Sequence, residues 1–312
     1  MIEVEELPAE RLAEWRDVRN RINRDDPVEL DFLLHRRERH PDQRDLLATR
    51  DGVPAGVGTY ARMIDDPVSP IGQVNFRVLP EHRRWGVATA LHRAVSEIGR
   101  AHFDEELEGK VIAPTAETEA YVAARRYRRV QRMIESRFDL GQAPKRDVPR
   151  DCVSEGTVGP EMRSVAEDPV LLEAAFAVAL ESEPDVPNPS PWVEPASFEE
   201  WRAREIDDAL FVPEGSLVAF VDGQPVAYGL MQLERPGLGA HHATGVARAH
   251  RGRGLATALK RAQIERARAA GLHELVTWNE ESNAAIRAVN ARLGYRITRD
   301  VVTYRGPLVG DA

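Results

Sequence analysis

The sequence predicts an α/β chain built as two tandem copies of one α+β domain, and three observations predict it. The first is length: 312 residues exceed one ordinary core and suit two domains of about 150 residues each. The second is an internal repeat. Residues 83–94, RRWGVATALHRA, and 251–262, RGRGLATALKRA, agree at eight of twelve positions at an offset of 168 (251 − 83). The third is a pair of hairpin signals upstream. LLATRDGVPAGVGTYARM (46–63) and SLVAFVDGQPVAYGLMQLE (216–234) each read as two strands around a tight turn, with Asp51-Gly52 and Asp222-Gly223 at the bends. Their offset of 171 (222 − 51) keeps the order of elements.

Each half therefore reads as a helical stretch, a hairpin, a strand, an arginine–glycine turn, a long helix, a strand, and a last helix and strand. The first copy spans 1–142 and the second 157–312. Between them, the Gly-, Pro- and charge-rich run around 143–156 reads as a linker.

Composition excludes several classes. No apolar run approaches the roughly 20 residues that span a bilayer, so no membrane partner is expected. The acidic start MIEVEELPAE lacks the pattern of a secretory signal, which points to the cytoplasm. A single cysteine, Cys152, falls in the linker and leaves no internal disulfide or multi-cysteine metal site. A net charge of −9 argues against general nucleic-acid binding.

The chemistry gathers at the repeated turn. GAHHATGV (239–246) reads as a strand and LATALKRAQIERARAAG (255–271) as an amphipathic helix. Leu255, Leu259 and Ala262 fall on its apolar face, with Lys260, Arg261 and Glu265 off it. Between strand and helix, Gly252 and Gly254 can take conformations closed to other residues and let a ligand approach the main chain. The first-turn amides have no internal partner, the helix dipole favours an anion there, and Arg251 and Arg253 add positive charge. Together these form a pyrophosphate cradle. The spacing fits neither a P-loop nor a Rossmann fingerprint.

Arg251-x-x-Gly254-x-Ala256, and its copy Arg83-x-x-Gly86-x-Ala88, resemble the [QR]-x-x-G-x-[GA] signature of the GCN5-related N-acetyltransferase (GNAT) superfamily. HELVTWNEESNAAIRAVNARLGYRI (273–297), with Asn283 and Leu293-Gly294-Tyr295, is similar to that superfamily's next motif. The likeness covers nearly the whole chain as a tandem pair, in the layout of mycothiol synthase-like two-domain acetyltransferases. It implies two GNAT domains, each a mixed, mostly antiparallel sheet with a splayed strand wedge flanked by helices. It also implies acetyl-CoA as cosubstrate and no metal.

On that resemblance the pyrophosphate lies on the amides of 251–256, in contact with Leu255, Ala256 and Thr257 as the helix begins. The pantetheine arm runs along Val246, Ala247 and Arg248, and a backbone N–H near Val246 holds the acetyl oxygen. Asn283 either caps its helix or touches the coenzyme arm. A glutamate on the central strand serves as base in many relatives, and Ala240 matches it here. His242 and Thr244 share that face by strict alternation, so His242 is the candidate base, ahead of His241. The usual tyrosine acid is replaced by Asn290, which leaves Tyr228 or Tyr295 to reach the sulfur.

The first copy is degenerate. Gly72, Val74 and Phe76 stand at the matching strand positions, and none is ionisable. Thr115 replaces Asn283, and Arg126 replaces Gly294. Val78, Arg83, Arg84, Trp85, Gly86, Val87 and Ala88 can still seat an anion, with Trp85 narrowing the cradle or stacking on a base. Catalysis is thus expected in the second copy, on a primary amine of a small molecule, in a monomer or homodimer. The proline-rich, acidic stretch 181–195 with Trp192 suits a cationic acceptor, and HRRERH (35–40) reads as the charged face of a helix. The alternative is a non-catalytic acyl-CoA-binding or sensing protein, which Ala240 and Asn290 favour.

Overall fold

The computed structural model describes residues 1–24, 26–62, 69–141, 160–187, 192–206 and 210–310. The linker expected over 143–156, with Cys152, lies outside them, as do residues 188–191 of the proline-rich stretch. By contacts the chain divides into unit 1, Met1–Val130 with Val301–Ala312, and unit 2, Gln131–Asp300.

Unit 1 runs β1 (Ile2–Leu7), α1 (Leu12–Ile22), α2 (Leu30–Arg39), β2 (Arg44–Arg50), β3 (Val53–Arg62), β4 (Ile71–Val78), α3 (Val87–Ala101), β5 (Glu106–Ile112) and α4 (Ala116–Ala124). The chain then enters unit 2 along β6 (Arg128–Asp139). Unit 2 continues with β7 (Glu161–Ser164), α5 (Leu171–Ser182), α6 (Phe198–Glu205), β8 (Leu217–Val221) and β9 (Gln224–Arg235). There follow β10 (Leu238–Val246), α7 (Leu255–Ala269), β11 (Glu274–Glu280) and α8 (Ala284–Leu293), and β12 (Arg296–Pro307) returns to unit 1.

Local chemistry explains the hairpins. Asp51 and Gly52 take φ 53° and 79°, and Asp222 and Gly223 take 51° and 78°. Two consecutive positive φ values between paired strand ends make the turn whose twist matches the strands it joins. Arg50 pairs with Val53, and Val221 with Gln224.

In each unit the strands from the first to the fourth are antiparallel neighbours, and the fifth joins the fourth in parallel. The sixth place is filled by exchange. Beside β5 lies β12, paired from Val301↔Ile112 to Pro307↔Glu106. Beside β11 lies β6, paired from Glu274↔Asp139 to Glu280↔Met133. The last strand of each sequence half thus completes the unit built mainly by the other half.

Alternation along the strands divides each core in two. In unit 1, Leu47 and Val57 pack with Trp15 and Val18 of α1, while Leu46 and Val74 pack with Leu91 and Val95 of α3. In unit 2, Val218, Tyr228 and Leu230 pack with α5 and Trp201 of α6, while Leu217 and Ala227 pack with Leu255 and Leu259 of α7. The parallel ladders are short. β4 pairs with β5 only over Ile71–Val74, and β10 with β11 only over Leu238–Ala240. Beyond those points the two strands part, giving each unit the splayed wedge that the resemblance implies.

Deleting residues 301–312 tests the exchange. It removes buried Val302 and Tyr304 and the Arg305–Glu108 ion pair at 2.6 Å. With about 1.5–3 kcal/mol for each large side chain withdrawn from burial, calorimetry should show the unit 1 transition lowered by about 10 °C or more. The unit 2 transition should hold; equal loss in both would refute this division of the chain.

Candidate active site

Each long helix begins at a glycine in the left-handed region, Gly86 at φ 89° and Gly254 at φ 78°. The positions two residues before them match as well: Gly252 has φ 74° and Arg84 has φ 64°. An arginine in that region is strained by roughly 1–2 kcal/mol relative to glycine, so the first copy keeps the bend at a cost. Among the described residues, the amides of 84–89 and 252–257 bond to no backbone or side-chain acceptor; the first helical bonds are Ala90 to Gly86 and Ala258 to Gly254. Six consecutive free N–H groups at a helix start fit an anionic phosphate ester. A Cβ built on Gly252 would meet nothing within 4 Å, so the approach is open.

The arginines divide their work. Arg251 Nε donates to the Val246 carbonyl at 3.1 Å, and Arg83 Nε to that of Val78 at 3.4 Å, so both staple a strand end to its turn. Arg84 and Arg253 are exposed, and Trp85 is 63% exposed with the Arg50 guanidinium 4.4 Å from its ring centre. Val87 and Leu255 turn into their cores, and Val246 packs beside Leu255. Ala88 and Ala256, half-buried, and buried Thr257 follow in the first helical turn, while Ala247 is buried toward α5. Asn283 accepts from the Ile286 N–H at 3.4 Å, and Thr115 from that of Thr118 at 3.2 Å, so both act as helix caps. Gly294, at φ 99°, ends α8 in the left-handed region, and Arg126 holds the matching place at φ 61°.

In unit 2 acidic side chains reach the mouth of the wedge. Glu181 accepts the Arg248 backbone N–H at 2.5 Å. Asp185 binds the Arg248 guanidinium at 2.9 Å and that of Arg251 at 2.8 Å, and these bonds pull its carboxyl down to about 2. The Arg248 amide just past β10 and both guanidiniums are thus engaged where the resemblance places the coenzyme arm.

Strict alternation along β10 fails at one point. The hairpin offset of 171 matches Arg62 with Leu233 and Gly58 with Gly229. Gly72 pairs with Arg62, and Gly239 with Leu233; Phe76 pairs with Gly58, and Thr244 with Gly229. The first pair of equivalents differs by 167 and the second by 168 (239 − 72, 244 − 76), so β10 contains one extra residue. It sits at His242, where the register slips between His241 and Ala243. Such a bulge re-aims the side chains on either side of it. Ala240 stays with Val276 and Trp278, and Ala243 joins the α5 and α6 side. Thr244 falls on the other face, that of Val246, and not beside His242 as alternation predicted. Gly72, Val74 and Phe76 likewise lie on the α3 face. Facing the other way in unit 1 are Gln73, Asn75 and Arg77, which by their ladder partners match Ala240, Ala243 and Gly245, and His242 has no counterpart.

His242 meets a partner that sequence reasoning missed. Its Nε2 lies 2.7 Å from Glu205 Oε2 at the end of α6. Burial would raise the Glu205 carboxyl, but the bond and charge of His242, with Arg204, hold it below its ordinary value. Glu183, also unforeseen, accepts from Tyr228 Oη at 2.9 Å, Trp201 Nε1 at 3.3 Å and Trp192 Nε1 at 3.4 Å. No spacing rule links residues 183, 205 and 242; the fold alone unites them.

His241 has no free lone pair. It lies 3.0 Å from Gln263 Oε1 through Nδ1 and 2.5 Å from Tyr295 Oη through Nε2, and Gln263 in turn donates to the Gly215 carbonyl at 2.9 Å. The consistent direction runs from the Tyr295 hydroxyl into Nε2 and from Nδ1–H into Gln263. Burial and the Lys260 charge push its pKa well below the ordinary value. Neither Tyr228 nor Tyr295 has an idle hydroxyl, and Asn290 donates to Asn279 Oδ1 at 2.6 Å while its own Oδ1 is unpartnered.

Lys260 corrects the reading of α7. It is 1% exposed rather than off the buried face, because sheet and α8 together cover a wider arc than the apolar stripe. Its Nζ reaches Thr277 Oγ1 at 3.5 Å and lies 5.7 Å from the centre of the Tyr295 ring. Desolvation drives its pKa down to about 7. An unfolded lysine binds a proton up to about pH 10.4, so folding should release one between pH 7 and 10 and stability should rise across that window. The gain is on the order of 4 kcal/mol. Urea titrations at pH 7 and 10 should show it, and Lys260→Met should be more stable at pH 7 and flatten the rise. An unchanged slope in that variant would assign the pH dependence elsewhere.

Comparison with known proteins agrees with this architecture. The model of the acetyltransferase (GNAT) family matches twice, over residues 8–129 and 177–295. The chain is 27% identical over 267 residues to a mycothiol acetyltransferase of Thermomonospora curvata, covering 85% of this chain and 82% of the relative. A GCN5-related N-acetyltransferase of Sphaerobacter thermophilus superposes with a TM-score of 0.76 at 19% identity, over 100% of this chain and 97% of the other. A tandem GNAT protein from the clavulanic acid biosynthesis pathway superposes with a TM-score of 0.72 at 20% identity, over the full length of both chains. At those identities the two structures speak for the fold, whereas the double family match covers most of the chain: it belongs to the GNAT family of acetyltransferases and is an acyltransferase.

Proposed function

We propose that the protein transfers an acetyl group from acetyl-CoA to a primary amine of a small molecule, with the chemistry in unit 2. The observation that carries this reading is the His242–Glu205 pair at the β10 bulge, on the helix side where the matching strand of unit 1 has no histidine. The thioester supplies a carbonyl carbon open to direct attack. The chain's own part is to align the amine, take its proton and hold the developing negative charge.

His242 is the proton acceptor, and Glu205 fixes its ring and stabilises the imidazolium that forms. As the C–N bond forms and the C–S bond breaks, a backbone N–H near Val246 holds the carbonyl oxygen. The six free amides of 252–257 hold the pyrophosphate. Glu183 and Glu205, flanked by Trp192, Trp201 and Tyr228, favour a cationic acceptor over a neutral or anionic one. The mycothiol acetyltransferase relative supports a small-molecule acceptor. In unit 1 the cradle serves binding or scaffold duties.

Calorimetric titration of acetyl-CoA into the full chain, with Gly254→Glu and Gly86→Glu, tests the assignment. Binding abolished by Gly254→Glu is expected; loss only with Gly86→Glu would move the chemistry to unit 1 and eliminate His242. Against a panel of small amines, His242→Gln should lower kcat by about 100-fold or more with little change in the KM for acetyl-CoA. Glu205→Gln should lower kcat by a smaller factor. Separately, Asp185→Ala should lower the KM for acetyl-CoA severalfold by freeing Arg248 and Arg251, and a raised KM would show that the clamp preorganises the cradle instead.

A further inference from the structure

The departing sulfur needs a proton, and the hydroxyls of Tyr228 and Tyr295 are engaged by Glu183 and His241. Asn290, at the place where the resemblance expects a tyrosine acid, has no acidic proton. Lys260 stands where such a source is wanted. Its Nζ reaches Thr277 Oγ1 at 3.5 Å, and Thr277 is the first residue of β11 beyond the last parallel pair, Ala240↔Val276. Unit 1 shows what this helix position faces on the other strand. There the matching residue, His92, stacks on Phe76 with ring centres 5.8 Å apart. The ladder partners make Phe76 the counterpart of Thr244, beyond Ala240 on β10. The position therefore lies beneath the opening between the parted strands.

The two copies fill that place differently. In unit 1 Phe76, His92, Tyr121 and Tyr127 form one ring cluster, with centres 5.4 to 6.4 Å apart. The matching residues of unit 2 are Thr244, Lys260, Val289 and Tyr295, so four rings give way to one. Two polar groups border it. Asn290, 2% exposed, leaves its Oδ1 without a partner, and its amide is held by Asn279, two residues beyond Thr277 on the same face of β11. Lys260 forms no ion pair with a carboxylate among the described residues. The titratable groups facing it are Tyr295 and His241, whose ring nitrogens are taken by Gln263 and Tyr295. Desolvation lowers its ammonium to about 7, so both protonation states are populated near neutral pH.

We propose that Lys260 faces the coenzyme's sulfur and gives it a proton as the thiolate departs, with Thr277 orienting the amine. The inference rests on the reading that acetyl-CoA occupies unit 2. As the acceptor's nitrogen attacks, the C–N bond forms and the C–S bond breaks, its electron pair going to sulfur. The Lys260 ammonium protonates that pair, leaving a free thiol and a neutral amine, while His242 takes the proton lost by the nitrogen. Exchange with solvent then returns a proton to Lys260 and removes one from His242. The developing thiolate is the counter-charge that the buried ammonium otherwise lacks.

Calorimetric titrations of the full chain with CoA and with desulfo-CoA, which has hydrogen in place of the thiol, test this without an acceptor. The thiol should strengthen binding to the native protein severalfold. Lys260→Met should remove most of that advantage and Thr277→Val part of it, whereas a purely structural lysine would weaken both ligands alike. With an amine from the panel, native kcat should fall on the alkaline side as the ammonium is lost, and that fall should vanish in Lys260→Met. An equal effect on the two ligands, with Gly254→Glu still blocking both, would overturn the role of Lys260 alone. Binding of neither ligand, or binding that Gly254→Glu leaves intact, would overturn the unit 2 reading and this inference with it. Should Lys260→Met not fold, Thr277→Val decides.

Discussion

The interruption of one parallel ladder governs this molecule. Past Ala240 and Val276, β10 keeps β9 on one side and loses β11 on the other. A strand stripped of one neighbour exposes a row of backbone donors and acceptors that must find other partners. In unit 2 the Glu181 carboxylate takes the amide of Arg248, two residues past the end of the strand. The rest of the architecture serves the same gap. Gly254 turns the chain so that α7 begins beside the opening with its first amides free, and Arg251 ties that turn to the end of the strand. A ligand with an extended polar arm and an anionic end complements such a gap by backbone geometry alone, which explains why the second copy's side chains could diverge from the first's.

Much of this was legible in the chain. The Asp-Gly hairpins, the glycine-led helices and the order of elements follow from local rules, because a left-handed turn or a 3.6-residue period is written in adjacent residues. The exchange of β6 and β12 was not, because a strand's alternation states which face is buried and not which edge it joins. Nor was the bulge. A fixed offset of 168 slides smoothly across the strand, and only the ladder partners reveal that His242 is an insertion. Its consequences were therefore hidden too: Thr244 on the wrong face, Arg77 unnoticed, and Glu205 unlinked to His242 across 37 residues.

Duplication left two copies of one backbone solution with different electrostatic contents. The helices that cover the outer face of the wedge bring Glu183, Glu205 and Asp185 in unit 2, and Arg19, Arg36 and Arg37 in unit 1. The Asp185 carboxylate beside the cradle of unit 2 is neutralised by Arg248 and Arg251. Net charge, at −9 for the chain, says nothing of how these groups are distributed.

The inner face of the wedge has a complementary feature. The same helix position, 168 residues apart, holds His92 in one copy and Lys260 in the other, each 1% exposed. Each stands beside the tyrosine that follows the last helix: His92 Nε2 is 2.9 Å from Tyr127 Oη, and Lys260 faces the Tyr295 ring. Burial lowers both bases, His92 to about 4 and Lys260 to about 7. At neutral pH the first is therefore uncharged and the second is poised between forms. The neutral form of such an amine needs no counter-ion, which a fully charged lysine in the same place would require. The sheet of unit 2 thus has the His242–Glu205 pair on its outer face and Lys260 on its inner face, where unit 1 has His92. On this inner face the two copies differ in the basicity of one buried side chain, as on the outer face they differ by the bulge at His242.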